Sequence, residues 1–246
     1  MPRLAESLSA ACRSLETPFH VILVDDGSSD GTSQAALEAF GEQRCSVVRF
    51  ESNRGPGAAV DAGLRRALGQ ADDDALIVTL EADGTSDLAI LPDLLNAVRS
   101  GNDIALASPF AEGGDIVGTS VFRHLLSRTA NFLCEICLGI HGVSTYSSFY
   151  RVHSKEILDR VYAHYGAHTI RETGFAYAVE ILAKSMRLGA RVSEVPMVLD
   201  ATLRIGKSRM RIGRTIVRYF VLFARLGWTR SAPRSHSAPA KKNTAF

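Results

Sequence analysis

Two apolar segments of this chain run directly into carboxylates. Residues 21–24 (Val-Ile-Leu-Val) meet Asp25-Asp26-Gly27-Ser28-Ser29-Asp30-Gly31-Thr32, and residues 75–80 meet Glu81-Ala82-Asp83-Gly84. Short apolar runs bounded by turn formers read as buried strands, and in an open α/β sheet ligands bind beyond the carboxyl ends of the strands. Two acidic strand ends therefore point to one nucleotide and metal site. Asp25 and Asp26 leave the first strand at its rim, and Gly27 lets the backbone turn. Ser28, Ser29 and Asp30 are candidate caps for a helix over residues 34–40. One of the two aspartates is expected to face the crevice and accept hydrogen bonds from a base or a ribose hydroxyl. Glu81 and Asp83 stand two apart, so in extended backbone both carboxylates point to one side. That pairing suits a hard divalent cation, Mg2+ or Mn2+, which keeps other positions for water and substrate phosphates. Either motif alone reads equally well as a solvated turn; their placement at two strand ends argues for a site.

The strands alternate with helical patterns. Apolar segments at 21–24, 46–50, 75–80 and 104–107 are separated by helix-period segments at 34–40, 57–68 and 87–98, which predicts a parallel sheet covered by helices. After Ser108 the rhythm changes to a helix over 121–138, a strand over 147–152, a helix over 174–188 and a strand over 191–197. At 246 residues, with 46% hydrophobic and 22% charged residues, the chain suits one large folded domain. Residues 231–246, rich in Ser, Ala, Pro and Lys, read as a disordered tail.

Charge is unevenly spread. After Asp200 there is no Asp or Glu, while that segment carries eight Arg and three Lys; an overall net charge of +2 with +11 there leaves −9 before it. A basic tail on an acidic body suits anionic lipid or, less specifically, nucleic acid; a membrane surface and no nucleic acid is the expected partnership. On a helical wheel of residues 210–228, Arg211, Arg214, Arg218 and Arg225 fall in one stripe, and Ile212, Ile216, Val217, Phe220, Phe223 and Trp228 fill much of the rest. That is the pattern of a helix lying in a membrane interface. Packing against the folded body explains the apolar face equally well. The first eight residues lack the apolar core of a secretory signal, and no run approaches the roughly 18 apolar residues of a spanning helix. The expected location is cytoplasmic, peripheral on the inner face of the membrane. Cys12, Cys45, Cys134 and Cys137 read as reduced core residues. His141, His153, His164 and His168 lack ligand spacing and read as loop or surface residues.

Six motifs in order carry a resemblance: Val24-Asp-Asp-Gly-Ser-Ser-Asp-Gly-Thr32, Asn53-Arg-Gly-Pro-Gly-Ala-Ala59, Glu81-Ala-Asp83, Gly174-Phe-Ala-Tyr-Ala-Val-Glu-Ile-Leu182, Glu194-Val-Pro196 and Gly206-Lys-Ser-Arg209. Over roughly residues 1–212 the chain resembles family 2 glycosyltransferases of the dolichyl-phosphate mannosyltransferase type. The resemblance implies a glycosyltransferase A-type α/β fold, an open sheet flanked by helices. It also implies inverting, metal-assisted transfer from a nucleotide-diphosphate sugar to a polyprenyl phosphate. Asp25, Asp26, Asn53, Arg54, Gly55, Glu81 and Asp83 would then hold donor and cofactor, with Glu81 and Asp83 on the metal. The glycine turn would bring its backbone amides close to the donor, although a plain helix-initiating turn with Pro56 at the first helical position fits it equally well. An attacking phosphate is already anionic, so no strong base is needed, and metal plus arginines become the catalytic equipment. Arg123, Arg128, Arg151, Lys207 and Arg209 are the candidates for the acceptor phosphate, and Asp83, Arg123 and Arg209 for the catalytic set. The implied division is a catalytic domain at 1–209, an amphipathic basic helix at 210–228 and a disordered tail at 229–246. Oligomeric state is not implied.

The chain departs from the family pattern in three places. Glu81 stands where Asp is usual. Tyr146-Ser-Ser-Phe-Tyr150 followed by Arg151 replaces Thr-Ser-Gly-Phe-Arg, with Ser144 where an aspartate is common, so a changed acceptor or sugar preference is expected. The chain also opens inside a helix (residues 2–8), without the usual first strand and its Pro-x-Tyr-Asn-Glu-Glu-like end. A reading frame that begins further upstream is the expectation, with a degenerate relative as the alternative. Two rival readings follow: transfer to a soluble or polysaccharide acceptor, and an inactive relative acting as a binding module.

Overall fold

The computed structural model describes residues 2–15, 17–203 and 212–227. In chain order the elements are α1 (Pro2–Ser14), β1 (Val21–Asp25), α2 (Thr32–Phe40), β2 (Cys45–Arg49), α3 (Pro56–Leu68), β3 (Leu76–Thr79), α4 (Leu91–Arg99), β4 (Ile104–Ser108), β5 (Asp115–Val117), α5 (Val121–Leu138), β6 (Arg151–Ser154), α6 (Lys155–Tyr165), α7 (Tyr177–Arg187), β7 (Val192–Pro196), β8 (Val198–Asp200) and α8 (Ile212–Gly227). The expected helix over 87–98 is divided. Asp87 caps a short 3-10 turn, Leu88–Ile90, and α4 follows with Pro92 in its first turn, where a missing N–H costs nothing.

Among the described residues the strands form three groups: β1-β2, β3-β6-β4-β7 and β5-β8. β1 and β2 are parallel, as are β4 and β7, but β6 runs antiparallel to both β3 and β4. The parallel arrangement expected from the alternation holds for β1-β2 and β4-β7, and β6, from the segment after Ser108 where the rhythm changes, is the strand that departs from it. The chain reaches β6 through α5 and the 139–150 segment, and Ser154 at the end of β6 caps α6 directly. The strand expected at 147–152 accordingly begins at Arg151, and α6, β5 and β8 were not foreseen.

β4 is buried along its whole length and divides the interior. Ile104 and Leu106 face a cluster with Leu138, Ile157, Leu158, Val161, Val179 and Leu182. Ala105 and Ala107 face a second, with Leu94, Leu95, Val152, Leu8 and Ala11 of α1, and Leu15 just beyond it. The period-2 alternation of a strand covered on both faces accounts for the split. α1 packs on both α2 and the 3-10 turn that follows β3, and so bridges the β1-β2 pair and the larger sheet. α8 lies along α5, with Leu222, Phe223 and Leu226 in the first cluster.

Candidate active site

The end of β1 organises the first half of the site. Asp25 is only 3% exposed. Its Oδ1 accepts the N–H of Ser28 at 2.7 Å and its Oδ2 accepts the Ser33 hydroxyl. The Ser33 bond, helped by Ser28 and by the Arg49 charge, holds the carboxyl below the usual aspartate range against the opposing effect of burial. None of the three expected caps holds the N-cap position, which Gly31 takes without a side-chain bond; Asp30, one residue before it, accepts the N–H of Thr32 at 3.1 Å. Asp26 reaches across to the next loop, where its two oxygens take the N–H groups of Arg54 at 2.7 Å and Gly55 at 2.9 Å. Both aspartates are thus occupied by their own chain. The amides of Arg54 and Gly55, expected to approach a donor directly, are held by Asp26 instead, so a donor in this crevice would meet the outer lone pairs of the carboxylates and the side chains around them.

The glycines of these loops answer to internal packing. Gly27 has φ 80°, and a Cβ there would stand 2.8 Å from the Asn53 nitrogen. A Cβ on Gly55 would lie 2.4 Å from the Thr173 carbonyl oxygen, and one on Gly57 would lie 1.8 Å from that of Glu172. The Gly57 N–H donates to the Thr173 carbonyl at 3.0 Å. Loop 25–31, loop 50–56 and loop 171–174 are therefore stacked backbone on backbone, a closeness that only glycine permits. Pro56 opens α3 as expected, and the Arg54 guanidinium lies 4.7 Å from the centre of the Phe50 ring. Beside them Phe50, Arg54, Asp61, Arg65, Ile170 and Glu172 line a cleft of about 300 Å3.

The second half lies beyond β3. Asp83 Oδ1 accepts the N–H of Thr85 at 3.0 Å and its hydroxyl at 2.6 Å, forming a tight acidic turn. Glu81 lies within electrostatic reach of Tyr177 at the start of α7, where burial and then the Glu81 charge keep the phenol protonated. Phe149 meets the Tyr177 ring edge-on at 5.8 Å. Glu81, the 144–150 segment and α7 thus converge, and residues 171–177 border both halves of the site. Among the described residues no three His, Cys, Asp or Glu side chains converge to hold a metal. The donor set nevertheless fits the implied cation: two hard carboxylates suit an ion that completes its shell with water and substrate phosphate oxygens.

The expected acceptor residues separate. Arg151 is 2% exposed. Its Nε, Nη1 and Nη2 donate to the carbonyls of Ser148, Ala178 and Tyr146 at 2.6, 2.9 and 2.7 Å, and burial pulls it down to about 10. Its guanidinium pins the 146–148 backbone to α7 from below, which corrects the expectation that it reaches out to an acceptor phosphate. Arg128 is exposed on α5 and Arg123 belongs to the first turn of that helix. Lys207 and Arg209 lie outside the described residues. His153 is another correction: it stands on β6 between Ile77 and Ile104, 2% exposed. Its Nδ1 has no partner, and burial followed by the Arg151 charge drives it down to about 3.

Several organising residues were not foreseen individually. Glu194 accepts the N–H groups of Ser144 and Thr145, each at 2.8 Å, and the hydroxyls of Thr145 and Ser108 pair at 2.6 Å. Glu180, wholly buried, sits between Lys184 and Arg225. Glu194 and Glu180 both lay inside quoted motifs. A Glu-Lys pair four apart on an otherwise apolar helix was the legible signal for Glu180.

The family model for glycosyl transferase family 2 matches residues 2–161. The chain belongs to this family. Polyprenol monophosphomannose synthase of Mycolicibacterium smegmatis is 30% identical over 197 residues, covering 78% of this chain and 70% of that protein. Dolichol-phosphate mannosyltransferase of Pyrococcus furiosus is 28% identical over 202 residues, covering 82% of this chain and 53% of that one. Among solved structures, glucosyl-3-phosphoglycerate synthase of Mycobacterium tuberculosis with Mn2+, uridine diphosphate and phosphoglyceric acid superposes with a TM-score of 0.62 at 16% identity. That match covers 92% of this chain and 74% of that one. The phosphoglyceric acid complex of the same enzyme gives 0.60 at 18%, covering 94% and 78%. This family 2 chain is a glycosyltransferase with the A-type α/β fold, as its motifs implied.

Proposed function

We propose that this glycosyltransferase moves a sugar from a nucleotide-diphosphate donor to a polyprenyl phosphate at a membrane surface. The observation that carries the acceptor class is the 30% identity, over 78% of the chain, with a polyprenol monophosphomannose synthase. A feature of the surface agrees with it. Leu125, Phe132 and Ile136 of α5 and Ile216, Val217, Phe220 and Val221 of α8 are large, apolar and exposed, and both helices border the 144–150 segment. Asn131 of α5 accepts from Tyr146, and Tyr219 of α8 bonds Ser147. Exposed apolar bulk on two adjacent helices suits the interfacial region of a bilayer. Among the described residues no helix is long and apolar enough to cross a membrane. On this reading 1–209 is the catalytic part, 210–228 the interfacial helix and 229–246 a tail, and the enzyme works at the cytoplasmic face.

Each residue then has a task. Asp25 and Asp26, with Asn53, Arg54 and Gly55, form the wall against which the nucleoside lies. Asp83, with Glu81 second, holds Mg2+ or Mn2+, which when bound offsets negative charge on the donor diphosphate. Arg123, Arg128, Lys207 and Arg209 are assigned to the acceptor phosphate from the family resemblance, a guanidinium fork matching phosphate oxygens better than an ammonium does. A phosphate oxygen attacks the anomeric carbon from the face opposite the diphosphate. The carbon–oxygen bond to the diphosphate breaks and its electron pair leaves with the nucleotide, so the configuration inverts. Arg151 and Glu194 hold the 144–148 backbone that borders this chemistry.

Calorimetric titration with a panel of nucleotide sugars tests the donor half. Binding should require Mn2+ or Mg2+, vanish with a chelator and fall sharply in Asp83→Asn. Equal affinity with and without metal would contradict the assignment of Glu81 and Asp83.

A further inference from the structure

Two arginines of the expected membrane stripe turn inward. Arg218 Nη1 lies 3.2 Å from Glu172 Oε2, and Arg225 contacts Glu172 Oε1 at 3.1 Å and Glu180 Oε1 at 2.9 Å. Both carboxylates are buried. Glu180 Oε2 also accepts the N–H groups of Arg171 at 2.9 Å and Glu172 at 2.8 Å. Lys184 Nζ completes the cluster, 2.6 Å from Glu180 and within 2.9 Å of the Thr169 carbonyl. The segment these groups hold, 171–174, is the one whose carbonyls fill the space beside Gly55 and Gly57. The stem of Arg218 lies over Gly174, 3.1 Å from where a Cβ would stand.

The contacts run without a break. α8 grips Glu172 and Glu180, these fix 171–173, the Thr173 carbonyl takes the Gly57 amide, and Asp26 takes the amides of Arg54 and Gly55. Charge makes the link conditional on α8. With α8 in place, Glu172 is paired with Arg218 and Arg225, and Glu180 with Arg225 and Lys184. Without the two arginines Lys184 still pairs with Glu180, but Glu172 loses both of its ion pairs, and uncompensated buried charge is strongly unfavourable. The segment must then shift, and the glycine contacts leave no slack for it to move independently of the donor loop.

We propose that Glu172 and Glu180 are positioning residues that make donor-nucleotide affinity depend on the seating of α8. The proposal rests on the donor reading of the Asp26 and Gly55 wall. It also gives the lipid-side helix a second role, since a surface that alters the seating of α8 would alter nucleotide affinity, and nucleotide would alter surface affinity by the same factor.

The test combines two readouts on Arg218→Gln, at the half-exposed end of the cluster, and on Arg225→Lys and the double variant Arg218→Gln/Arg225→Gln. The first is the affinity for uridine and guanosine diphosphates with Mn2+. The second is hydrogen exchange at the Gly57 amide, which needs no ligand. Arg218→Gln should weaken the nucleotide that the wild type binds by about 5-fold or more and speed Gly57 exchange by a similar factor. The double variant should do more of both, and Arg225→Lys less than the double. In turnover, KM for the donor should rise while kcat at saturation changes less, a split that a general loss of stability does not produce. A folded Arg218→Gln protein with wild-type nucleotide affinity and wild-type Gly57 exchange would overturn the proposal. Should the wild type bind neither nucleotide, the donor reading fails, and the Gly57 exchange rates still decide whether α8 and the loop are linked.

Discussion

At the scale of single residues, the structure separates carboxylates that shape the site from those left to do chemistry. Asp83 does both, since one oxygen holds the Thr85 turn. Asp83→Asn keeps an oxygen acceptor for that turn while removing the charge, so it should abolish turnover yet shift stability by no more than ~0.5 kcal/mol. A melting curve beside an activity assay checks both halves, and a fully active Asp83→Asn enzyme would contradict the metal role. His153 makes a separate statement about pH. Its folded value of about 3 lies below the ordinary histidine range, so the folded protein carries it neutral while the unfolded chain takes up a proton as pH falls below about 6.5. Its contribution is therefore intact above that pH and is lost progressively as pH falls towards the folded value, at up to ~1.4 kcal/mol per pH unit. Urea melts of wild type and His153→Gln between about pH 7 and 4.5 should show a flatter curve for the variant. Parallel curves would show that the site is hydrated.

At the scale of elements, α8 is the helix whose role the structure redraws. The arginine stripe led to the expectation of a basic helix lying on anionic lipid. Arg218 and Arg225 are instead tied to Glu172 and Glu180, Arg214 is exposed, and Arg211 lies outside the described residues. With two of four arginines spent inside, and each interfacial arginine adding about 1 kcal/mol, the apolar face of Ile216, Val217, Phe220 and Val221 carries the larger share of binding. Val217→Ser/Phe220→Ser should therefore release the protein from vesicles more than Arg214→Gln does, and raising salt should weaken wild-type binding only modestly. Vesicle flotation decides it; a strong salt effect and a larger loss with Arg214→Gln would return the helix to the electrostatic account.

At the scale of the whole molecule, the described strands leave β1 and β3 in separate sheets, each with one partner, and α1 and α3 are elements that pack against both sides. Leu8 of α1 contacts the second core cluster. Leu8→Asp should destabilise the fold by about 2 kcal/mol or more and promote aggregation through strand edges it helps to cover, measurable by urea melts and light scattering; unchanged behaviour would mean that α1 closes nothing. How much of this architecture was legible follows from what each part depends on. Strands 21–24 and 104–107 and helix 121–138 were readable because local apolar period fixes them. β6 was misplaced because Arg151 and His153 are polar residues buried by tertiary partners, which no period announces. The strand-end carboxylates were legible as a site. That Asp26 would hold a neighbouring loop, and that Gly55 and Gly57 would make room for carbonyls 115 or more residues away in the chain, was not, because both depend on which loops the fold brings together. The central claim is sugar transfer to a lipid phosphate, and one measurement addresses it directly. The protein is incubated with Mn2+, radiolabelled nucleotide sugars and a polyprenyl phosphate in vesicles, and label is followed into the organic phase. The account predicts acid-labile, lipid-linked label from one nucleotide sugar, absent without the polyprenyl phosphate or with Asp83→Asn. Label appearing only in a water-soluble product, or in none while the nucleotide sugar binds, would contradict it.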